Sequence, residues 1–368
     1  MELVMDNISL VKPFIPSADV LMPALEKVLY SGYIAEGESV YEFEKLFRTY
    51  IENPSTLACS SGTAALHIAL RLCNVQTGDE VISTPLTAEP TNVVIAMTGA
   101  KVVWADINKD TGLIAPESVE SKITERTKAI MLVDYAGMVC DLEKFQKISK
   151  KYNIPIIEDA AHALGSMYDN KYVGNISQYT IFSLQAIKHM TTIDGGFLSM
   201  QNMSDMERAR CLRWFGLDKQ KPRLENDITE CGYKYNMNNV NATIGIVQMR
   251  YINKIISSYI ENGQFYDTAL KNIPGVEMIK YTEKSEPSYW LYTMKVEDRC
   301  GFIKHMESHG VAASPLHLRN DRHSVFAASK ANLPNLDLFY SKMIHIPCGW
   351  WVDEEKRNYI TDIIKKGW

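Results

Sequence analysis

Between residues 56 and 159 the chain alternates short apolar runs with stretches of helical periodicity: TLACS then AALHIALRLC, EVIST then PTNVVIAMTG, KVVWADI, KAIMLVD then LEKFQKISKKY, and IPIIED. Apolar runs this short, bounded by turn residues, read as strands buried on both faces. The helical stretches between them have the length of the crossovers that parallel strands need. The pattern predicts an α/β fold whose mostly parallel mixed sheet is flanked by helices. Gly78, Pro85, Gly99, Gly112 and Pro155 fall between the runs, where short connections require them. Sheets of this kind take ligands at the carboxyl ends of their strands, so the residues that follow each run are the first candidates for chemistry.

The pattern changes after Gly196. Residues 204–214 and about 239–271 read as helices, the second long enough to link two units. A boundary near 250 follows, with a large α/β unit over 1–250 and a smaller C-terminal α+β unit over 251–368. The latter holds a strand at YWLYTMKV, a helix around 302–309 and a final amphipathic helix from Asp353. A net charge of -5 with no long run of Lys or Arg offers no stripe for a phosphate backbone, so no nucleic-acid partner is expected. Seven cysteines without a CxxC pair fit neither a disulfide framework nor a zinc ribbon. The opening MELVMDNISLVKPFIP lacks the basic and apolar regions of an export signal, and no run of about 18 apolar residues occurs, so a cytoplasmic chain with no membrane partner is expected. His305 and His309 share a helical face but lack a third ligand, and no metal is expected there.

Four segments carry the candidate chemistry, each at a predicted strand end or helix start. Ser60-Ser61-Gly62-Thr63-Ala64 closes a strand and opens a helix, whose first N–H groups suit a phosphate; Gly62 lets an anion approach the backbone and Thr63 adds a hydroxyl. Alone, such a segment is ordinarily a capped helix and nothing more. The run Ile156-Ile157-Glu158-Asp159-Ala160-Ala161-His162 is a strand ending in acid. Glu158 and Asp159 must point to opposite faces, and Asp159 is the one assigned to the site. Thr180 to Lys188, followed by His189 and Asp194-Gly195-Gly196, joins an apolar strand, the Ser183 hydroxyl and a lysine. A lone lysine is ordinarily a solvated charge, but one that is partly buried loses its proton and becomes a nucleophile. The last segment, Gly232-Tyr233-Lys234-Tyr235-Asn236-Met237-Asn238, offers Lys234 as a cation for a phosphate dianion. An acid to keep a pyridine nitrogen protonated, an amine for an aldehyde and a phosphate cradle together point to pyridoxal 5'-phosphate. His317 and Arg319, after an apolar turn, and Tyr33 are candidates for substrate contact.

Gly62-Thr63, Asp159 with His162, Ser183, and Lys188 with Gly195-Gly196 resemble the signature of the DegT-like sugar-nucleotide aminotransferases, a branch of the fold type I pyridoxal-phosphate enzymes. The likeness spans roughly residues 28–250 and takes in Ser31-Gly32-Tyr33-Ile34-Ala35-Glu36-Gly37 with Phe43-Glu44, similar to the family's early substrate-side loop. The resemblance implies that Lys188 carries the cofactor as a Schiff base, Asp159 binds its ring nitrogen and His162 lies beside the ring. It implies that Gly62, Thr63 and Ser183 bind the phosphate, with Lys234 reaching the phosphate of a neighbouring subunit in a homodimer. It further implies ping-pong transfer of an amino group, usually from L-glutamate, to a keto-deoxy sugar on a nucleoside diphosphate, as in deoxyamino-sugar and cell-surface polysaccharide biosynthesis.

The chain departs from the family pattern in places. Lys234 stands where an asparagine is usual and Asn236 where an arginine is usual; Asp134 replaces a common histidine; Asp194 replaces a glutamate. Residues 84–98 contain no aromatic side chain, so Thr87 or Ala88 has to fill the space of a ring usually stacked on the cofactor. A related group dehydrates the sugar with histidine in place of the lysine; Lys188 argues against it, and His189, one residue displaced, should face away. A protein that keeps the fold as a non-catalytic regulator is a further alternative, against which the pairing of Lys188 with Asp159 speaks. No G-x-G-x-x-G, G-x-x-x-x-G-K-[ST] or G-x-S-x-G occurs to support a dehydrogenase, phosphotransferase or hydrolase.

Overall fold

A computed structural model describes residues 7–368. Residues 1–6, where part of the export-signal reading and the start of the first predicted unit fall, lie outside the described residues. The strands run in the predicted alternation: β1 (Thr56–Cys59), β2 (Glu80–Ser83), β3 (Lys101–Trp104), β4 (Thr127–Val133), β5 (Ile156–Asp159), a short pair β6 (Met167–Tyr168) and β7 (Lys171–Tyr172), then β8 (Tyr179–Ser183) and β9 (Gly196–Met200). Seven of them form one sheet in the order β1-β9-β8-β5-β4-β2-β3. Strands β2, β3, β4, β5 and β8 pair in parallel, while β9 pairs antiparallel with both β8 and β1. Only β9 therefore runs against the rest, and the carboxyl ends of β1, β2, β4, β5 and β8 meet along one edge. Burial on both faces explains the unbroken apolar runs: in β4, Lys128 is the one exposed residue.

The helix Gly62–Leu72 starts where Ser61 caps it, its side chain accepting from the Ala64 N–H. It is buried along nearly its whole length, which suits its apolar sequence. The predicted helix over 239–271 is two helices, Asn239–Met249 and Ile252–Ala269. At the junction the N–H groups of Arg250 and Tyr251 bond to Val247 and Gln248, three residues back, which tightens the last turn and redirects the chain.

Beyond that break the chain forms β10 (Val276–Met278), β11 (Ser285–Glu286), β12 (Tyr292–Val296) and β13 (Met343–Ile346). β10-β12-β13 make an antiparallel sheet, while β11 joins β6 and β7. With the helices Arg299–Ser308 and Glu354–Lys366 this sheet closes a second apolar core around Tyr266, Tyr292, Phe302 and Ile360. Asp353 caps the final helix at the Lys356 N–H. Trp290 and Phe339 come from this later segment but are buried in the first core, against the large sheet. Among the described residues no helix is long and apolar enough to cross a membrane.

Candidate active site

The shared edge of the large sheet opens on a cavity of about 340 Å3. Gly62, Thr63, Asp159, His162, Ser183, Lys188 and His317, each singled out from the sequence, all line it. They arrive on different elements: the helix start after β1, the last residue of β5 and the turn after it, the end of β8, the loop before β9, and the segment after the second core's helix.

Asp159 is 4 % exposed. Its Oδ2 accepts from the Thr91 hydroxyl at 2.7 Å and its Oδ1 from the Ala161 N–H at 3.1 Å. Burial raises its proton affinity, opposed by those two donors and by the charge of Lys188. Lys188 is buried too, and burial pulls its pKa down to about 8, with Asp159 pulling the other way. Its Nζ lies 4.2 Å from the centre of the Trp290 ring. Among the described residues that amine has no hydrogen-bond or ion-pair partner. A lysine in this state is half neutral near pH 8, where an ordinary lysine is almost wholly protonated, and so offers a nucleophilic amine.

The imidazole of His162 stacks on Trp290 at 3.9 Å and 20°. Its Nδ1 faces the Ala136 N–H at 3.3 Å, so Nδ1 is the acceptor and Nε2 carries the hydrogen. Burial and the charge of Lys188 hold His162 neutral. His317, 5.9 Å from His162 and nearly parallel to it, is likewise held neutral, with a pKa of about 3 set chiefly by burial. Its Nε2 is buried without a hydrogen-bond partner among the described residues.

The anion corner depends on close backbone approach. A Cβ on Gly62 would sit 3.1 Å from Ser183 Cβ, and one on Gly196 would lie 2.5 Å from the Gly62 nitrogen. Any side chain at Gly196 would therefore push the helix start away from the strands. The loop after Lys188 is pinned by Asn241, whose side-chain amide donates to the carbonyls of Thr192 and Asp194 at 2.7 Å each.

Other sequence candidates lie elsewhere. Tyr33 is 79 % exposed and does not line the cavity. Arg319 is buried in ion pairs with Asp321 and Asp337. Lys234 bridges to Trp214, and within this chain it is not part of the cavity wall. His189 is turned away as expected: its Nε2 lies 3.2 Å from the Ser288 carbonyl and its ring packs on Tyr259. Glu158 points to the opposite face from Asp159, where Thr180 donates to it at 3.0 Å. Thr87 and Ala88 line the cavity, as the missing aromatic required. Sequence reasoning missed Thr91 and Trp290. Thr91 sits at the start of the helix after β2, a strand-end position like the others, whereas nothing in the sequence tied Trp290 to Lys188.

The profile of the DegT/DnrJ/EryC1/StrS aminotransferase family matches residues 18–365. The chain belongs to that family. Among solved structures, AtS13 from Actinomadura melliaura is 34 % identical with a TM-score of 0.95, covering 99 % of this chain and 100 % of its own. The sugar aminotransferase CalS13 from Micromonospora echinospora is 33 % identical with a TM-score of 0.94, covering 98 % and 100 %. Spr1654 from Streptococcus pneumoniae, in its PLP form, is 28 % identical with a TM-score of 0.89, covering 98 % of each chain. It has also been solved in a PMP form. This member of the DegT/DnrJ/EryC1/StrS family is thus an aminotransferase, and pyridoxal phosphate is the implied cofactor. The cavity's own chemistry fits that group: a buried acid for a ring nitrogen, an unpartnered amine of lowered pKa for an aldehyde, and a helix start for a dianion.

Proposed function

We propose that the chain transfers an amino group from an amino acid, L-glutamate by preference, to the keto carbon of a keto-deoxy sugar carried on a nucleoside diphosphate. One observation carries the reading: an unpartnered Lys188 amine of lowered pKa shares a cavity with a buried, hydrogen-bonded Asp159. When bound, the cofactor supplies an aldehyde that takes an amine covalently and a cationic ring that draws electrons from the adjacent carbon. Lys188 would hold the cofactor through its Nζ and, once freed by the donor, would carry the proton from the substrate carbon to the carbon that had been the aldehyde. Asp159 keeps a proton on the ring nitrogen. His162, neutral and stacked on Trp290, would border the cofactor ring, and Gly62, Thr63 and Ser183 would hold the phosphate. His317, with its free Nε2, meets the substrate.

Residues 1–250 act as the cofactor-binding unit and 251–368 as the smaller unit that supplies His317. A homodimer fits the apolar surface left open at Tyr30, Tyr33 and Ile34, which are 85 %, 79 % and 53 % exposed. In it Lys234 reaches the partner's phosphate, and Tyr33 borders the substrate's outer end. The product is a deoxyamino sugar nucleotide of the kind used in cell-surface polysaccharides.

A half-reaction tests the assignment. Protein loaded in the pyridoxamine form is mixed with keto-sugar nucleotides, and the return of the aldehyde absorbance is followed. Recovery with a nucleotide-linked keto sugar and not with the free sugar is the expected result. Recovery with simple 2-keto acids alone would overturn the sugar-nucleotide reading.

A further inference from the structure

The wall of the cavity that lacks an aromatic ring carries two threonines, each 2 % exposed. Thr87 Oγ1 lies 2.8 Å from Thr91 Oγ1, and Thr91 Oγ1 lies 2.7 Å from Asp159 Oδ2. An ionised carboxylate has no hydrogen to give, so Thr91 must donate to Asp159. Its single hydrogen is then committed, and the hydrogen between the two threonines must come from Thr87. The direction of the whole chain is fixed: Thr87 to Thr91 to Asp159.

The chain is also held in place from outside. The Asn320 side-chain amide donates to the Thr87 carbonyl at 2.9 Å, and the Asn320 N–H donates to the Pro85 carbonyl at 2.9 Å. Asn92 braces Asn320 in turn, donating to its Oδ1 at 2.9 Å. Thr87 is thus locked to a segment of the smaller unit, and its hydroxyl arrives at Thr91 without having to be ordered when ligand binds.

We propose that Thr91 and Thr87 are positioning residues for Asp159: a one-way hydroxyl relay that keeps the carboxylate ionised and aimed, and so keeps the proton on the cofactor's ring nitrogen. The inference rests on the reading of Asp159 given above. Donors on a carboxylate lower its basicity, and a less basic Asp159 leaves the shared proton with the ring. Lys188 is the charged group that acts on Asp159 from the cavity; Glu158, next in the chain, faces the other way. Because the hydrogen of Thr87 is committed to Thr91, Thr87 presents only acceptor lone pairs to the cavity it lines.

The test is the pH titration of the bound cofactor's visible absorbance, together with the cofactor's dissociation constant, in holoprotein carrying Thr91→Val, Thr91→Ser, Thr87→Val or Asp159→Asn. A ring that loses its positive charge repels the proton on the lysine nitrogen less, so the titration midpoint should rise. Thr91→Val, which keeps the shape and removes the donor, is expected to raise it by about one unit and to weaken cofactor binding roughly tenfold, the scale of one hydrogen bond to a charged group. Thr91→Ser should stay at the wild-type midpoint, and Thr87→Val should move in the same direction by less. A shift in Asp159→Asn with none in Thr91→Val overturns the relay while leaving Asp159 in its role. No shift in Asp159→Asn overturns the parent reading instead. If Thr91→Val does not fold, Thr87→Val decides, and a wild-type midpoint in that variant overturns the relay.

Discussion

Strand β5 ends in two neighbouring acids that face opposite sides of the sheet, and the two sides use them differently. On the cavity side, Asp159 accepts from Thr91 and Ala161 and faces the Lys188 amine. On the rear side, Glu158 lies against Asp134, which is also fully buried, and among the described residues Asp134 Oδ2 and Glu158 Oε1 have no hydrogen-bond donor. Burial raises the proton affinity of both rear acids, and for Asp134 the neighbouring Glu158 adds to it. A single proton held between them satisfies both orphan oxygens. Burial is common to the two sides and does not distinguish them. Both sides also supply donors, Thr180 to Glu158 and the Cys140 N–H to Asp134 on the rear; what marks the cavity side is a cation in reach and open space for a further partner.

Four measurements break or sharpen that contrast. Lys188→Ala should abolish turnover and leave protein with no covalent cofactor absorbance; measurable transamination by that variant would remove the cavity side from the chemistry. Asp159→Asn should lower kcat by several orders of magnitude, since an amide does not hold the ring nitrogen protonated, and near-normal kcat would make the two acids equivalent. A third measurement concerns the cofactor-free protein. The folded pKa of Lys188, about 8, lies below its ordinary 10.5, so the unfolded chain binds more protons between those values. Stability should therefore rise with pH across that window, and below it Lys188→Met should be more stable than wild type by roughly 3 kcal/mol. Equal unfolding free energies at pH 7 would count against a desolvated amine. The smallest effect belongs to the rear side: Glu158→Gln should leave kcat unchanged. Because the folded proton affinity of Glu158 is raised, its contribution is present at low pH and lost as pH rises through the folded pKa. The variant should therefore gain stability relative to wild type as pH rises. A collapse of kcat in Glu158→Gln would erase the distinction between the faces.

The sheet was legible because strands buried on both faces leave short unbroken apolar runs between turn residues. The cavity residues were legible for a related reason, since Gly62, Asp159 and Ser183 fall at or just beyond strand ends, where parallel sheets bring distant segments together. Arg319 shows where this reasoning stops. Its guanidinium is engaged by Asp321, two residues on, and by Asp337, across the start of another helix, and only the three-dimensional path reveals the second partner. Tyr33 and Lys234 look alike in sequence whether they serve a site or a surface, because that difference lies in geometry outside a single chain's local pattern. The division of the 239–271 helix was hidden as well, since Arg250 and Tyr251 are compatible with helix and the tightened turn is set by packing.

Trp290 donates its indole N–H to the Ile187 carbonyl at 2.8 Å and lies directly under the amine of the next residue. An indole fluorophore is thereby fixed within contact range of the amine proposed to carry the cofactor. Cofactor binding there should lower the emission of that indole by energy transfer, an intrinsic report of occupancy that needs no added label.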